Sequence, residues 1–218
     1  MQMHAAALIV VVAIPLWLAA PAAGQSVFVS GGGFANIQQF GRFSSQSPTV
    51  LDEDLSDTTR GIAVAVGGNV ATHVAVELEV AFPARIRKSF EPFRVLPPLP
   101  PAPTTTLHQV DYRSRHASVL VGYQTNTKRR VSAALLGGLM FVQERMHSVT
   151  TITPRPVSNP LPSENTITTY RMAPIVGIDV PIAAMSHLAV VPQGRIYKLD
   201  TASGVVGIWP GLSVRWTF

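Results

Sequence analysis

The sequence predicts an all-β protein: a closed, antiparallel, up-and-down transmembrane β-barrel of eight strands. Three observations carry that reading. The last segment alternates, with Ile208, Pro210, Leu212, Val214, Trp216 and Phe218 apolar and Gly207, Gly211, Ser213, Arg215 and Thr217 small or polar between them; Trp209 breaks the rule. A two-residue period is that of a strand with one apolar and one polar face. Stretches of the same period recur along the chain, helical periodicity does not, and the connections between them are short and long by turns. Short turns on one side and long loops on the other mark an outer-membrane barrel, with the short side in the periplasm.

The chain has 218 residues, enough for one domain. Charged residues make up 13% and mean hydropathy is positive. Yet one segment alone approaches the apolarity of a membrane helix: residues 5–20, AAALIVVVAIPLWLAA. Pro21, Ala22, Ala23 and Gly24 follow it, small residues suited to signal peptidase. Residues 1–24 are therefore expected to be a cleaved secretory signal and residues 25–218 the barrel domain. Residues 1–4 lack Lys and Arg, a departure from the usual signal pattern. The rival is an uncleaved anchor, for which roughly 16 apolar residues around Pro15 are short. Cys is absent, which excludes disulfides and thiol chemistry, and no cofactor is expected. The basic residues behind the net charge of +5 are dispersed, without the basic stripe of a nucleic-acid binder, so nucleic acid is not an expected partner.

The eight strands are expected at residues 26–38, 60–69, 73–84, 109–123, 130–145, 168–182, 186–198 and 204–218. Short turns fall at 70–72, 124–129 and 183–185. In the third strand Val74, Val76, Leu78, Val80 and Phe82 share a face, with Ala75, Glu77, Glu79 and Ala81 opposite. Val131, Ala133, Leu135, Gly137, Leu139 and Phe141 do the same in the fifth. In the sixth, Met172, Pro174, Val176, Ile178 and Val180 oppose Arg171, Gly177 and Asp179. In the seventh, Leu188, Val190, Pro192 and Ile196 oppose Gln193, Arg195 and Tyr197. The wet face is mostly Gly, Ala and Ser, which suits a narrow lumen filled by side chains. Pro174, Pro192 and Pro210 fall inside strands, where each removes a ladder donor. Reversal around Ala183 or Ala184, and around Thr201, puts all three at one height, facing lipid.

The inward charges need partners. An ion-pair network among Glu77, Glu79, Asp179, Arg195 and Arg215 is expected, plugging the lumen, because eight strands leave room for side chains and little for water. A charge-lined narrow pore is the alternative. His116 and Ser118 lie two apart and so share a strand face, which would let a His base activate a Ser nucleophile, with Glu144 as the orienting acid. Asp52, Glu53, Asp54 and Asp57 in the first loop offer oxygen ligands without EF-hand spacing. Arg85, Arg87, Lys88 and Arg94 in the second loop suit lipopolysaccharide phosphates, and the Pro run at 97–103 suits a stiff polyproline II spacer. Gly31-Gly32-Gly33 lies within a strand with no helix following, so it is a close-packing site and not a phosphate loop. Lys128-Arg129-Arg130 is a charge cluster at a turn.

With its terminal strand GLSVRWTF, its alternation and its loop asymmetry, the chain resembles the OmpA-like, opacity-type family of eight-stranded outer-membrane β-barrels over residues 25–218. The resemblance implies a bacterial outer-membrane location and contact with outer-membrane lipid and lipopolysaccharide. It also implies that Leu212, Val214, Trp216 and Phe218 form the signal read by the barrel-assembly machinery. The role it implies is non-enzymatic, structural or surface-interacting, with an extracellular ligand at the long loops. The His-x-Ser pair faintly resembles that of outer-membrane lipid A deacylases, which place Asn after the Ser, where this chain has Val119. A lipid-modifying hydrolase is the alternative this suggests.

Overall fold

A computed structural model of the chain describes residues 26–39, 57–90, 104–125, 130–154, 161–199 and 205–218. The elements are β1 (Val27–Gln39), β2 (Asp57–Ala71), β3 (Val74–Pro83), β4 (Ile86–Phe90), β5 (Thr104–Gln124), β6 (Ala134–Pro154), β7 (Leu161–Asp179), β8 (Ile182–Ala183), β9 (Leu188–Leu199) and β10 (Val205–Thr217), with no helix among the described residues. Neighbours run β10-β1-β2-β3-β5-β6-β7-β9, and β9 pairs β10 in turn, so these eight strands close an antiparallel ring. β4 prolongs β3 along β5, and β8 prolongs β7 along β9. A closed ring leaves no spanning edge whose backbone groups lack partners.

Side chains sort by parity. Leu212, Val214 and Trp216 are 55%, 51% and 46% exposed on the outside, while Ser213 and Arg215 between them are buried. The same split holds for Ile62 and Val64 against Ala63 and Ala65, and for Leu135, Leu139 and Phe141 against Leu136, Met140 and Val142. So much exposed apolar surface, continuous around a wall, is a lipid-facing belt and not that of a soluble domain.

The seam is made by β1 and β10, in register from Phe28↔Thr217 to Gln39↔Val206. Gly32 is needed there: a Cβ would strike the Leu212 carbonyl and the Ser213 backbone, leaving the strands no way to approach. Gly31 and Gly33 have open space or ordinary contacts, so the close packing of the Gly triplet resides in its middle member and is against backbone, not lumen side chains.

Three expectations need correction. The proline row does not form. Pro192 pairs with Leu212, and Pro210 with Gly194 two residues along, but Val180 donates its N–H to the Pro192 carbonyl. That puts Pro174 six residues higher on β7, roughly 20 Å along the strand. The chain continues past Pro181 through β8 and turns at residues 184–187, where the Ala184 and Met185 N–H groups both donate to Leu188 O (2.9 and 3.0 Å); the turn lies beyond the 183–185 expected. All three prolines still face outward. Second, the lumen is more apolar than expected: Leu120, Met140, Val142, Ile175, Leu199 and Trp209 are buried in it, because a dry narrow interior packs best with hydrocarbon.

Third, β5, β6 and β7 reach 21, 21 and 19 residues against 13 for β1 and β10. With β4 they rise as a flap above the rest of the rim. The stretch was missed because its Thr-rich ends lack apolar alternation, although β-branched Thr favours strands.

Candidate functional site

The lumen holds two stacked layers of side chains. In the lower, Glu77 and Glu79 come from β3, Asp179 from β7, Arg195 from β9 and Arg215 from β10, all buried. Arg195 Nη1 lies 2.6 Å from Asp179 Oδ1, and its Nη2 lies 3.3 Å from Glu79 Oε2 and 3.8 Å from Glu77 Oε1. Arg215 Nη2 lies 2.8 Å from Asp179 Oδ2 and 3.2 Å from Glu77 Oε2. The pairs to Glu77 and Glu79 cross the interior, since β9 and β10 are not neighbours of β3 in the ring, while Arg195–Asp179 joins the adjacent strands β9 and β7. The structure thus brings together all five residues singled out from the sequence. Arginine suits the place because its planar fork reaches two carboxylates at once. Arg215 also lies over the Phe28 ring, 4.2 Å from its centroid.

Two guanidiniums face three carboxylates, and Glu79 Oε1 makes no hydrogen bond. Removing Glu79 therefore leaves Arg195 with Asp179 and Glu77, a milder loss than removing an arginine. Glu79→Ala is expected to lower the urea midpoint of the folded barrel measurably. Ser213→Ala, whose hydroxyl donates a single hydrogen bond to Gln193 Oε1 (3.2 Å), is expected to shift it by about 1 kcal/mol or less. Equal midpoints for the two variants would count against the network.

The layer above is aromatic. Trp209 stacks on His116 (4.8 Å between centroids) and Phe34 (5.0 Å) and meets Tyr197 edge-on (5.1 Å). Trp209 Nε1 donates to Asn36 Oδ1 (2.6 Å), and Gln38 Nε2 donates to Tyr197 Oη (2.8 Å), which satisfies the polar tips of buried rings. Gly207 makes the room: a Cβ there would overlap the Tyr197 ring. Trp209 is the residue that broke the terminal alternation, and that break was the sequence signal for this layer. Higher still, Glu144 accepts from Tyr112 Oη (2.7 Å) and Arg171 Nε (2.8 Å).

The hydrolase arrangement is not formed. His116 and Ser118 do share the lumen face, but both are buried and neither ring nitrogen of His116 makes a hydrogen bond. Glu144 pairs across from Ser114 and is held by Tyr112 and Arg171. A base that does not touch its nucleophile, enclosed away from lipid, cannot activate it. His116 is a stacking partner of Trp209 instead.

At the turn end a cavity of about 260 Å³ reaches inward to Phe28 and Arg215. Asp52, Glu53, Asp54, Arg94, the Pro run, Lys128 and Arg129 lie outside the described residues. Asp57 accepts the N–H of Thr58 (2.7 Å), and no group of three His, Cys, Asp or Glu among the described residues could hold a metal. Arg130 Nε donates to the Ala183 carbonyl (3.3 Å) at the turn end. Arg85 and Arg87 bridge to Asp111 on the outer wall, where Arg113 and Arg115 of β5 and Arg145 of β6 join them; the sequence reading missed these three because only the pairing of β5 with β4 and β6 brings them beside Arg85 and Arg87.

No family model and no curated protein sequence matches the chain. Solved structures do. Ail, the attachment invasion locus protein of Yersinia pestis, in complex with the heparin analogue sucrose octasulfate, aligns at TM-score 0.51 and 15% identity, over 89% of this chain and 99% of that one. Neisserial surface protein A aligns at TM-score 0.50 and 12% identity, over 89% of this chain and 99% of its own. At such identities the likeness is one of fold. The chain has the fold of the small eight-stranded outer-membrane β-barrels, the architecture of the OmpA-like and opacity-type proteins.

Proposed function

We propose that the chain is exported through a cleaved signal at residues 1–24 and resides in the bacterial outer membrane as a plugged barrel. Its role is structural or surface-interacting, exercised by the flap and the long loops on the outer side. The observation that carries this reading is the filled lumen: five buried ionic side chains, paired with one another, lie beneath a stacked aromatic layer, and eight strands enclose little space beyond that. The work is then left to the outside of the molecule. Leu212, Val214, Trp216 and Phe218, all exposed on the outer wall, are available to the assembly machinery before the seam with β1 closes, and afterwards to acyl chains.

The test is reconstitution. Heat-modifiable migration of the membrane fraction is expected, together with no sustained stepwise conductance in a planar bilayer. Steady conductance steps would establish the narrow pore instead, and migration indifferent to heating would remove the barrel.

A further inference from the structure

Above the apolar belt, the outer face of the flap turns basic. On β5 the side chains alternate, Ser114 and His116 buried inside, Arg113 and Arg115 exposed outside. Arg85 Nε lies 2.9 Å from Asp111 Oδ1, Arg113 Nε 3.7 Å from the same atom, and Arg87 Nε 3.8 Å from Asp111 Oδ2. Arg145 of β6 stands directly opposite Arg113 and is exposed. Among the described residues no carboxylate pairs with Arg115 or Arg145. One acid, Asp111, therefore pairs with three of the five guanidiniums in the cluster. On the same face, nearer the turns, Phe82, Val119, Leu139 and Phe141 are exposed.

The wall is also notched there. The β3–β5 ladder ends at Ala81↔His116, and the β4–β5 ladder resumes at Ile86↔Tyr112, shifted by one residue. Over Phe82–Arg85 the chain parts from β5, and a cavity of about 410 Å³ opens, lined by Phe82, Pro83, Arg85, Arg113, Ser114 and Arg115. Phe82 and Pro83 give it apolar surface, and Arg85, Arg113 and Arg115 bring three guanidiniums to it. Beside it Gln143, opposite Arg115, donates to Tyr170 Oη (3.0 Å), a polar and aromatic flank that suits a sugar ring.

We propose that this notch binds the phosphorylated headgroup of an outer-leaflet glycolipid: a phosphomonoester on a sugar that carries acyl chains. The inference rests on the reading that the exterior faces outer-membrane lipid, and it names the lipid and the residues. The guanidinium fork matches phosphate oxygens two at a time. Phe82, which lines the notch and is exposed with the belt side chains beside it, selects a phosphate tethered to acyl chains over a free ion. The height, immediately beyond the exposed apolar side chains, is that of a headgroup.

The experiment uses the full chain folded into phosphatidylcholine vesicles. Folding, scored by heat-modifiable migration, tests the barrel reading by itself. Folded protein is then titrated with diphosphoryl lipid A, with its dephosphorylated form and with phosphatidylglycerol. Diphosphoryl lipid A is expected to bind the wild type most tightly, and the Arg113→Gln/Arg115→Gln variant at least about tenfold more weakly. Arg130→Gln, at the opposite turn end, is expected to match the wild type. Both β5 arginines are exposed, so folding is not at stake. Equal lipid A binding by the double variant overturns the proposal. So does an equal response to phosphatidylglycerol, or displacement of lipid A by millimolar inorganic phosphate.

Discussion

Arg195→Met is expected to cost about 3–5 kcal/mol of folded-state stability, the penalty of leaving buried charge without its partner. Arg195 is within ion-pair distance of all three carboxylates. Without it, Glu77, Glu79 and Asp179 face Arg215 alone, inside a wall with apolar side chains on its outer surface. Arg215 does not reach Glu79 in the wild type, so one carboxylate is stranded outright. The measurement is the urea midpoint of the barrel in vesicles, read from the heat-modifiable band. A second variant separates lost charge balance from lost bulk. Arg195→Met combined with Glu79→Gln and Asp179→Asn removes the excess negative charge, and most of the lost stability should return. Replacing a whole buried ionic group by neutral side chains is often nearly neutral. A wild-type midpoint for Arg195→Met would mean that water reaches the layer and screens it, and the plug would fail with it.

Trp209→Ala is expected to be the most damaging apolar substitution, at about 3–5 kcal/mol. The side chain is 2% exposed and holds three rings around it. Its removal leaves a cavity that stiff strands cannot collapse, and it leaves the Asn36 amide oxygen without its donor. The comparison is Trp216→Ala, a residue of the same size on the lipid side, which should shift the midpoint far less. His116→Phe provides the third arm. It keeps the stacking on Trp209 and deletes two buried nitrogens that find no partner, so stability should hold or rise. If Trp209→Ala also brings conductance steps that the wild type lacks, the aromatic layer seals the lumen as well as stabilising it. If Trp209→Ala and Trp216→Ala cost the same, the inside–outside assignment of β10 is wrong.

Much of the barrel was legible because a membrane wall imposes a strict two-residue code. Lipid accepts hydrocarbon alone, so Leu212, Val214 and Trp216 had to point one way and Ser213 and Arg215 the other. The inward charges could be picked out for the same reason. A Glu or Arg on the wet face of a spanning strand has nowhere to go but the lumen, and so Glu77, Glu79, Asp179, Arg195 and Arg215 could be named together. Alternation was silent on register. The prolines were misplaced because a turn shifted by three residues leaves every face assignment intact while moving heights by roughly 20 Å, since faces repeat at every second residue and heights do not.

Local sequence, through the demand of lipid for one apolar face, determined the strand count, their faces and the set of charges that turn inward. Tertiary structure decided what those residues do, because register and ring closure set which distant strands meet. Closure across the lumen carried Trp209 onto His116 and Phe34, turning a tempting His–Ser pair into a stacking layer. The one-residue slip between β3 and β4 opened a notch and gathered Arg85, Arg113 and Arg115 in its lining. The slip leaves no pattern along the chain, and the break in alternation at Trp209 marks an inward ring without naming the rings it meets, since each depends on strands brought together only by the fold.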